Sequence, residues 1–524
     1  MFYRWLLLVI HNRNTMRNLP LRIHNNWAFT FKMGGYVNRN YHYVSVQSLS
    51  KPVTQTMMRT WERVGKHVKQ LECIQSRLYA PEVIVSVLNS FPNVEKVSFK
   101  SSQLEPYDNI KISTHLENDL NHLKTLVMYN NCELVNYHVF KQLATVKLTT
   151  LKINSLSRME EDHNLMRFLC TQDQMENLAL RGIFNSNYVF SPMKGHTIAF
   201  KLKSMSLREF SSGPMYGNVL KFLQQQKNNL VHFELGKYFT SDIYEFVFNQ
   251  LPYLKTLFLD VSGVPHQMEF YEEIQINRYP MRLRLRGEQK DDALYAKILS
   301  LYPCVRDLRI CSKVSLETLE YMRANLHNLT RISLHILPAG VPKYIKFPKL
   351  KIVHLDWLDH TIDWVHFLAS NPTIEVLSLK WSKNQFDTFG SALKTVCKRL
   401  PKLKHLKIGT LMNIDMEKIR DIQAVCKTLD KFDILDENLD FNYMDDGMML
   451  KKNGFKFCAF TKKSMRIIFP PEDSVWKDDD GDYDSDSGLC QPDAVLTRSK
   501  YNLLLPSNEE EEDNPVYRTW RRKR

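Results

Sequence analysis

Four hexapeptides decide how this sequence folds: Leu254-Lys-Thr-Leu257-Phe-Leu259, Val305-Arg-Asp-Leu308-Arg-Ile310, Ile374-Glu-Val-Leu377-Ser-Leu379 and Leu403-Lys-His-Leu406-Lys-Ile408. Each is an apolar residue, two variable residues, an apolar residue, one variable residue and a last apolar residue. The last two apolar positions are two apart, so on an extended strand both point to one side and the residue between them points to the other. Weaker copies begin at Tyr41, Val68, Val94, Leu123, Leu148, Met175, Leu202, Leu230, Pro280, Leu329, Leu350 and Leu429. Steps between successive starts run from 21 to 29 residues, with a mean near 26. One such hexapeptide arises easily by chance. Sixteen in phase over about 390 residues do not.

The stretches between them read as helices. In Asp242–Leu251 and Leu316–Leu326 the apolar residues recur at spacings of three and four, and Asp242 with Glu245 has the form of a capping box. Prolines follow several of these segments and open the next strand, as at Phe91-Pro92, Leu251-Pro252, Tyr302-Pro303, Asn371-Pro372 and Leu400-Pro401. Proline ends a helix because it has no N–H to donate and its ring clashes with the preceding turn. The period lies in the range of leucine-rich repeats. The expected fold is therefore an α/β leucine-rich-repeat horseshoe solenoid of about fifteen turns, one strand and one helix per turn of about 26 residues. No turn buries its apolar face alone, so the array is expected to act as one cooperative body.

Composition sets the surroundings of this array. Hydrophobic residues make up 44% of the chain and charged residues 24%, with a formal charge of +14. From Pro471 to Arg524 there are 14 acidic and 8 basic residues, a net of −6, so the preceding body carries +20. The domain reading is a short apolar helix at 1–14, a linker at 15–40, the solenoid at 41–470 and a disordered acidic tail with a basic end at 471–524. The tail carries runs such as Asp478-Asp479-Asp480 and Glu509 to Asp513, too poor in apolar residues to build a core. The aspartate run lacks the spacing and distal glutamate of a calcium loop.

Nine scattered cysteines, with no CxxC pair, suit reduced thiols in the cytoplasm or nucleus. The apolar run Trp5–Ile10 is shorter than the h-region of a signal peptide. No stretch reaches the roughly 20 apolar residues of a membrane span.

That N-terminal run, joined to these repeats, resembles insect F-box leucine-rich-repeat proteins. Arg4-Trp5 followed by Leu6 to Ile10 is similar to the basic-Trp signature and aliphatic stretch of the family's last F-box helix. Asn40-Tyr41-His-Tyr-Val44-Ser-Val46 resembles the family's first strand, and Thr60-Trp61 through Leu71 the segment after it. Only the last of the roughly three F-box helices has a clear counterpart, and the chain reads as an N-terminally shortened member. The resemblance implies substrate recognition for a Skp1-cullin-F-box ubiquitin ligase, with Arg4 and Trp5 as a remnant of the surface that docks a Skp1-type adaptor.

Signatures of chemistry are missing. The sequence has no GxxxxGK[ST], no GxGxxG after a strand, no HExxH and no GxSxG. No enzyme, cofactor or metal is expected. The segment from His354 to His366 holds three histidines and three aspartates, and it reads more simply as a strand followed by an acid-rich helix start. The variable strand positions from Pro280 onward are rich in bases and rings: Arg282, Arg284, Arg286, Arg306, Arg309, Arg331, His335, His354, Trp357, Lys380, Trp381 and Lys407. On adjacent strands about 4.8 Å apart these would form one basic concave face, suited to an acidic protein or peptide. The expectation is a monomeric, non-catalytic binding scaffold within a complex. A stand-alone binder without ligase recruitment is the alternative. A nucleic-acid binder would require aromatic platforms or a groove-entering helix as well.

Overall fold

The computed structural model describes residues 21–24, 42–47, 61–62, 64–74, 77–78, 88–100, 103–104, 120–129, 140, 143–155, 163–182, 190, 198–208, 217–237, 239–287, 292–338, 340–358, 363–381, 386–409, 425, 428–429, 431–435, 459–461 and 464–466. The N-terminal remnant with Arg4 and Trp5, and the tail 471–524, lie outside them. The chain divides into two compact units, 1–377 with 399–402, and 378–398 with 403–524.

Apart from a separate parallel pair of two-residue strands, Arg77–Leu78 and Gln103–Leu104, the strands of the first unit are β1 (Leu21–His24), β2 (Tyr43–Gln47), β3 (Gln70–Ile74), β4 (Lys96–Lys100), β5 (Thr125–Tyr129), β6 (Thr150–Ser155), β7 (Asn177–Gly182), β8 (Ser204–Arg208), β9 (His232–Leu235), β10 (Thr256–Asp260), β11 (Arg282–Arg286), β12 (Asp307–Lys313), β13 (Arg331–Ile336) and β14 (Ile352–Leu358). Each pairs in parallel with the next in chain order. β15 (Val376–Trp381) straddles the boundary of the units. In the second unit β16 (His405–Gly409) pairs in parallel with β17 (Lys431–Leu435), and a hairpin of β18 (Ala459–Thr461) and β19 (Ser464–Arg466) adds antiparallel to β17.

Sixteen of these strands, β2 to β17, begin two residues after the first apolar position of a sequence repeat. That spacing follows from burial. In the turn starting at Leu254, Leu254, Leu257 and Leu259 are all fully buried, so the first apolar residue anchors the chain before the strand opens. β1 is an addition: it lies inside the stretch 15–40 expected as a linker and extends the parallel sheet by one strand. One parallel strand per repeat, stacked in sequence order, makes the first unit a leucine-rich-repeat solenoid.

Between strands lie seven α-helices among the described residues: α1 (His163–Thr171), α2 (Gly217–Gln226), α3 (Ser241–Asn249), α4 (Asp292–Ser300), α5 (Leu316–Asn325), α6 (Asp363–Ala369) and α7 (Phe386–Arg399). α3 buries Ile243, Tyr244, Phe246, Val247 and Phe248 against the sheet. The Asp242–Glu245 capping box does not form. The helix starts one residue earlier, behind Thr240, leaving Asp242 inside the first turn where its charge meets the helix dipole. A side-chain cap occurs instead on α5, where Ser315 Oγ accepts from Thr318 N at 3.0 Å.

The expectation of a helix in every turn also needs correction. Between β10 and β11 there are only two short 3₁₀ segments, Val261–Gly263 and Met268–Tyr271. Between β13 and β14 there are turns alone. Pro265 interrupts the first connection and Pro338, Pro342 and Pro348 the second, and proline in a helix interior costs about 3 kcal/mol or more.

Two further devices join the turns. Along one edge of the sheet, the residue after each anchor carries the backbone from turn to turn. Lys203 N donates to Glu176 O at 2.8 Å, Val231 N to Lys203 O at 2.8 Å, Lys255 N to Val231 O at 2.8 Å, Met281 N to Lys255 O at 3.0 Å and Arg306 N to Met281 O at 2.8 Å. Buried amides then satisfy main-chain groups of the preceding turn. Gln172 accepts from Leu148 N and donates to Val146 O. Gln226 does the same with Leu202 N and Phe200 O, and Asn371 with Phe347 N and Ile345 O. Buried main-chain groups without partners would cost a few kcal/mol each.

Candidate protein-binding face

The strand face opposite the helices is built by alternation. In β11, Leu283 and Leu285 are buried while Arg282, Arg284 and Arg286 stand on the other side. In β12, Leu308 and Ile310 are buried and Arg309 is exposed between them. Parallel pairing places Arg284 beside Phe258 on one side and Arg309 on the other. It places Arg309 beside Ser333, and Ser333 beside His354.

The face is less uniformly basic than the sequence reading suggests, because acids interleave. Asp307 lies in register between Arg282 and Arg331. Its Oδ2 is 3.8 Å from Arg282 Nε and 3.7 Å from Arg331 Nη1. Asp260 is in register with Arg286, and Asp356 occupies the alternate position after His354 in β14. The strands β10 to β14 hold five arginines (Arg282, Arg284, Arg286, Arg309, Arg331) and Lys313 against three aspartates (Asp260, Asp307, Asp356), a net of +3.

The other expected residues separate. Arg306 does not stand on the strand face. It precedes β12, exposed, in the edge row that links the turns. His335 is half-buried in β13, and His354 Nε2 lies 3.1 Å from Arg331 Nη2, the donor of that contact. Trp357 falls in register with Ile336, and its side chain lies outside the described residues, as does that of Trp381. Lys380 and Lys407 belong to the second unit, where Lys407 is in register with Asp433. Asp363 opens α6 and His366 lies within it, apart from the strand that carries His354 and Asp356. Asp359 and His360 lie outside the described residues.

A second cluster, on the same face one to four strands earlier, was not apparent from the sequence. Glu234 of β9 accepts from Arg181 Nη2 of β7 at 2.8 Å, and also pairs with Arg208 and Ser206 of β8. The three charged side chains are only 12–15% exposed. Phe258 of β10, 6% exposed, is covered by two guanidiniums, Arg208 at 4.6 Å and Arg284 at 4.9 Å from its ring centre. These contacts connect the buried Arg–Glu cluster to the arginines of β11. The available sequence signal was the shared phase of Arg181, Arg208, Glu234 and Phe258, all at outward positions of consecutive repeats.

No helix among the described residues is long and apolar enough to cross a membrane. No family model matches the chain, and no curated protein does. Among solved structures, the leucine-rich-repeat-containing protein LegL7 from Legionella pneumophila aligns at a TM-score of 0.29 and 11% identity, over 79% of this chain and 99% of that one. An alignment this loose carries no argument about function.

Proposed function

We propose that the chain is a non-catalytic protein-binding scaffold that grips an acidic protein or peptide on the outward face of β11 to β14. The observation that carries this reading is the pairing of Arg284 with Arg309. Like charges directly opposite on neighbouring strands are destabilising, and the outward neighbours on either side of this pair are Phe258 and Ser333, not acids. The Arg309 side chain makes no ion pair or hydrogen bond among the described residues. A partner's carboxylate reaching Arg309 would add charge-assisted hydrogen bonds there. Arginine is also over-represented among interface hot spots.

The finer reading is substrate recognition for a Skp1-cullin-F-box ubiquitin ligase, and it rests on the likeness of Arg4-Trp5 and the repeats to F-box leucine-rich-repeat proteins. Two measurements test the two levels separately. For the face, binding of a labelled polyglutamate peptide is followed by anisotropy for the wild-type chain and for Arg284→Glu with Arg309→Glu. The double reversal is expected to weaken binding by at least about tenfold, and equal binding would sink the assignment. For ligase recruitment, the full chain is isolated from cells and its associated proteins are identified. A Skp1-type adaptor that is lost on Trp5→Ala supports the ligase reading. Its absence leaves a stand-alone binder. Retention of RNA or DNA, with a steep salt dependence removed by the arginine reversals, would replace the protein partner with a nucleic acid.

A further inference from the structure

The turn edge of the sheet holds a second surface, built by the repeat itself. Each buried anchor residue is flanked by one side chain before it and one after it. Over five consecutive turns the anchors are Met175, Leu202, Leu230, Leu254 and Pro280. The residues before them form one row, Gln174, Lys201, Asn229, Tyr253 and Tyr279. Those after them form a second row, Glu176, Lys203, Val231, Lys255 and Met281. All ten line a single open groove of about 860 Å³. The backbone bonds from Glu176 to Met281 hold the rows in step, so at about 4.8 Å per turn the groove runs for about 19 Å. That length matches about six residues of extended peptide.

The groove is polarised. At one end Glu176 pairs with Lys203 at 2.6 Å, and Asp173 lies 3.8 Å from Lys147. At the other end Tyr253, Tyr279 and Met281 are 61%, 59% and 44% exposed, with Ile276 close by in sequence at 61%. Those four are most of the large apolar side chains left open among the described residues, the fifth being Tyr344. The position before the anchor is polar in most other turns, as at His67, Asn93, Lys147 and Asn328. Two adjacent tyrosines there depart from the rest of the array. Lys201 and Lys255 are exposed and make no ion pair among the described residues. Contiguous exposed apolar surface with a polar rim marks a binding site, and tyrosine and methionine are enriched in protein interfaces.

We infer that this edge groove docks a short extended segment of a partner protein, with an aromatic or aliphatic side chain against Tyr253, Tyr279 and Met281 and a carboxylate between Lys201 and Lys255. Protein fits better than nucleic acid, because Met281 adds aliphatic surface beside the two tyrosines and Glu176 and Asp173 close one end against a phosphate chain. The groove lies on the sheet's edge, not on the outward strand face, so its occupant is independent of the ligand proposed for Arg284 and Arg309.

The test is a selection of random twelve-residue peptides displayed on phage against the full chain, with counter-selection on Tyr253→Ala combined with Tyr279→Ala. Both tyrosines are largely exposed, so the variant is expected to keep the wild-type Tm, which thermal unfolding checks. Expected survivors carry an aromatic or aliphatic residue with Asp or Glu a few positions away. As synthetic peptides they should bind the wild type and lose at least about tenfold on the tyrosine variant. They should lose several-fold on Lys201→Glu with Lys255→Glu, and nothing on Arg284→Glu with Arg309→Glu. No peptide that distinguishes wild type from the tyrosine variant would overturn the inference. So would survivors that are basic, or a single-stranded RNA 12-mer that binds the wild type and is lost on the same variants. Concentration-dependent self-association abolished by Tyr253→Ala and Tyr279→Ala would assign the groove to a second copy and overturn it equally.

Discussion

Tyr302 shows what a single buried hydroxyl does in this protein. Its ring is fully buried beside Phe248, and its Oη has no hydrogen-bond partner among the described residues. Burial, with the nearby Tyr271 phenol, pushes its pKa well above the ordinary tyrosine value. The folded state therefore keeps a proton that the unfolded chain releases above about pH 10. Stability is fully present below that value and falls as the pH rises toward the folded-state pKa. Tyr302→Phe is expected to be about 1 kcal/mol more stable than wild type near neutrality, because an unsatisfied polar group disappears. It should also lose less Tm between pH 9 and 11, values chosen to bracket about pH 10. A lower Tm for the variant at neutral pH would contradict this account. Tyr271 is the contrast: its Oη donates to Pro265 O at 2.8 Å, so the same change there should destabilise. The buried amides act in the opposite sense. Gln226→Leu strands Leu202 N and Phe200 O, and is expected to cost about 2–5 kcal/mol in chemical denaturation. These roles were not legible in the sequence. A leucine at every third and second step announces burial by its period, whereas a lone glutamine before an anchor looks like any surface residue. Only the main-chain groups of the neighbouring turn, known once the turns are stacked, reveal what Gln172 and Gln226 bind.

At the scale of elements, the repeat strands were legible, while β1, the β18–β19 hairpin and the connections were not. Sixteen strand starts follow the anchors at a constant offset of two, because a 2-residue alternation and a buried anchor leave no other phase in which every leucine is covered. Helices depend on what the connection must span, and prolines at 265, 338, 342 and 348 replace a helix with turns in two of them. The outward face was half legible. Alternation identified Arg284 and Arg309, but whether a cation is matched depends on residues 25 positions away in the chain, as with Asp307 and its two arginines. The same is true of Glu234, which joins β7, β8 and β9 through Arg181 and Arg208. Removing one partner of a largely buried ion cluster leaves uncompensated charge. Glu234→Ala is therefore expected to cost about 3–5 kcal/mol, well beyond the ~0–1 kcal/mol expected for removing the more exposed Asp307. Denaturant midpoints of the two variants give the comparison, and equal losses would mean that burial of the Glu234 cluster has no energetic consequence.

Over the first unit as a whole, each turn touches mainly its neighbours in sequence order, with a few side chains such as Arg181 and Arg208 reaching two turns away, so stability is passed along the stack and not pooled in one core. The uniform cooperativity expected from the repeats can therefore be tested by where damage spreads. Gly65 is a suitable point. A Cβ added there would sit 1.8 Å from Ser90 O and 3.0 Å from the Phe91 ring. The obstacle is the backbone of the next turn, which cannot rotate away as a side chain would. Gly65→Ala must push the turn before β3 away from the turn before β4, at a cost of about 1–3 kcal/mol or more. If stability is a chain of neighbour interfaces, amide exchange should rise in β2, β3 and β4 and stay at the wild-type rate in β10 to β13. The distant strands keep their own leucine anchors, their edge ladder and the aromatic contacts of Phe248, Phe270, Tyr271 and Tyr302. Exchange that rose equally in all strands would show that the unit opens only as a whole. The binding surfaces turn on the same point. Both the Arg284–Arg309 face and the Tyr253–Tyr279 groove belong to turns remote in the stack from Gly65, so Gly65→Ala should leave peptide affinity at either surface within about twofold of wild type if coupling is local.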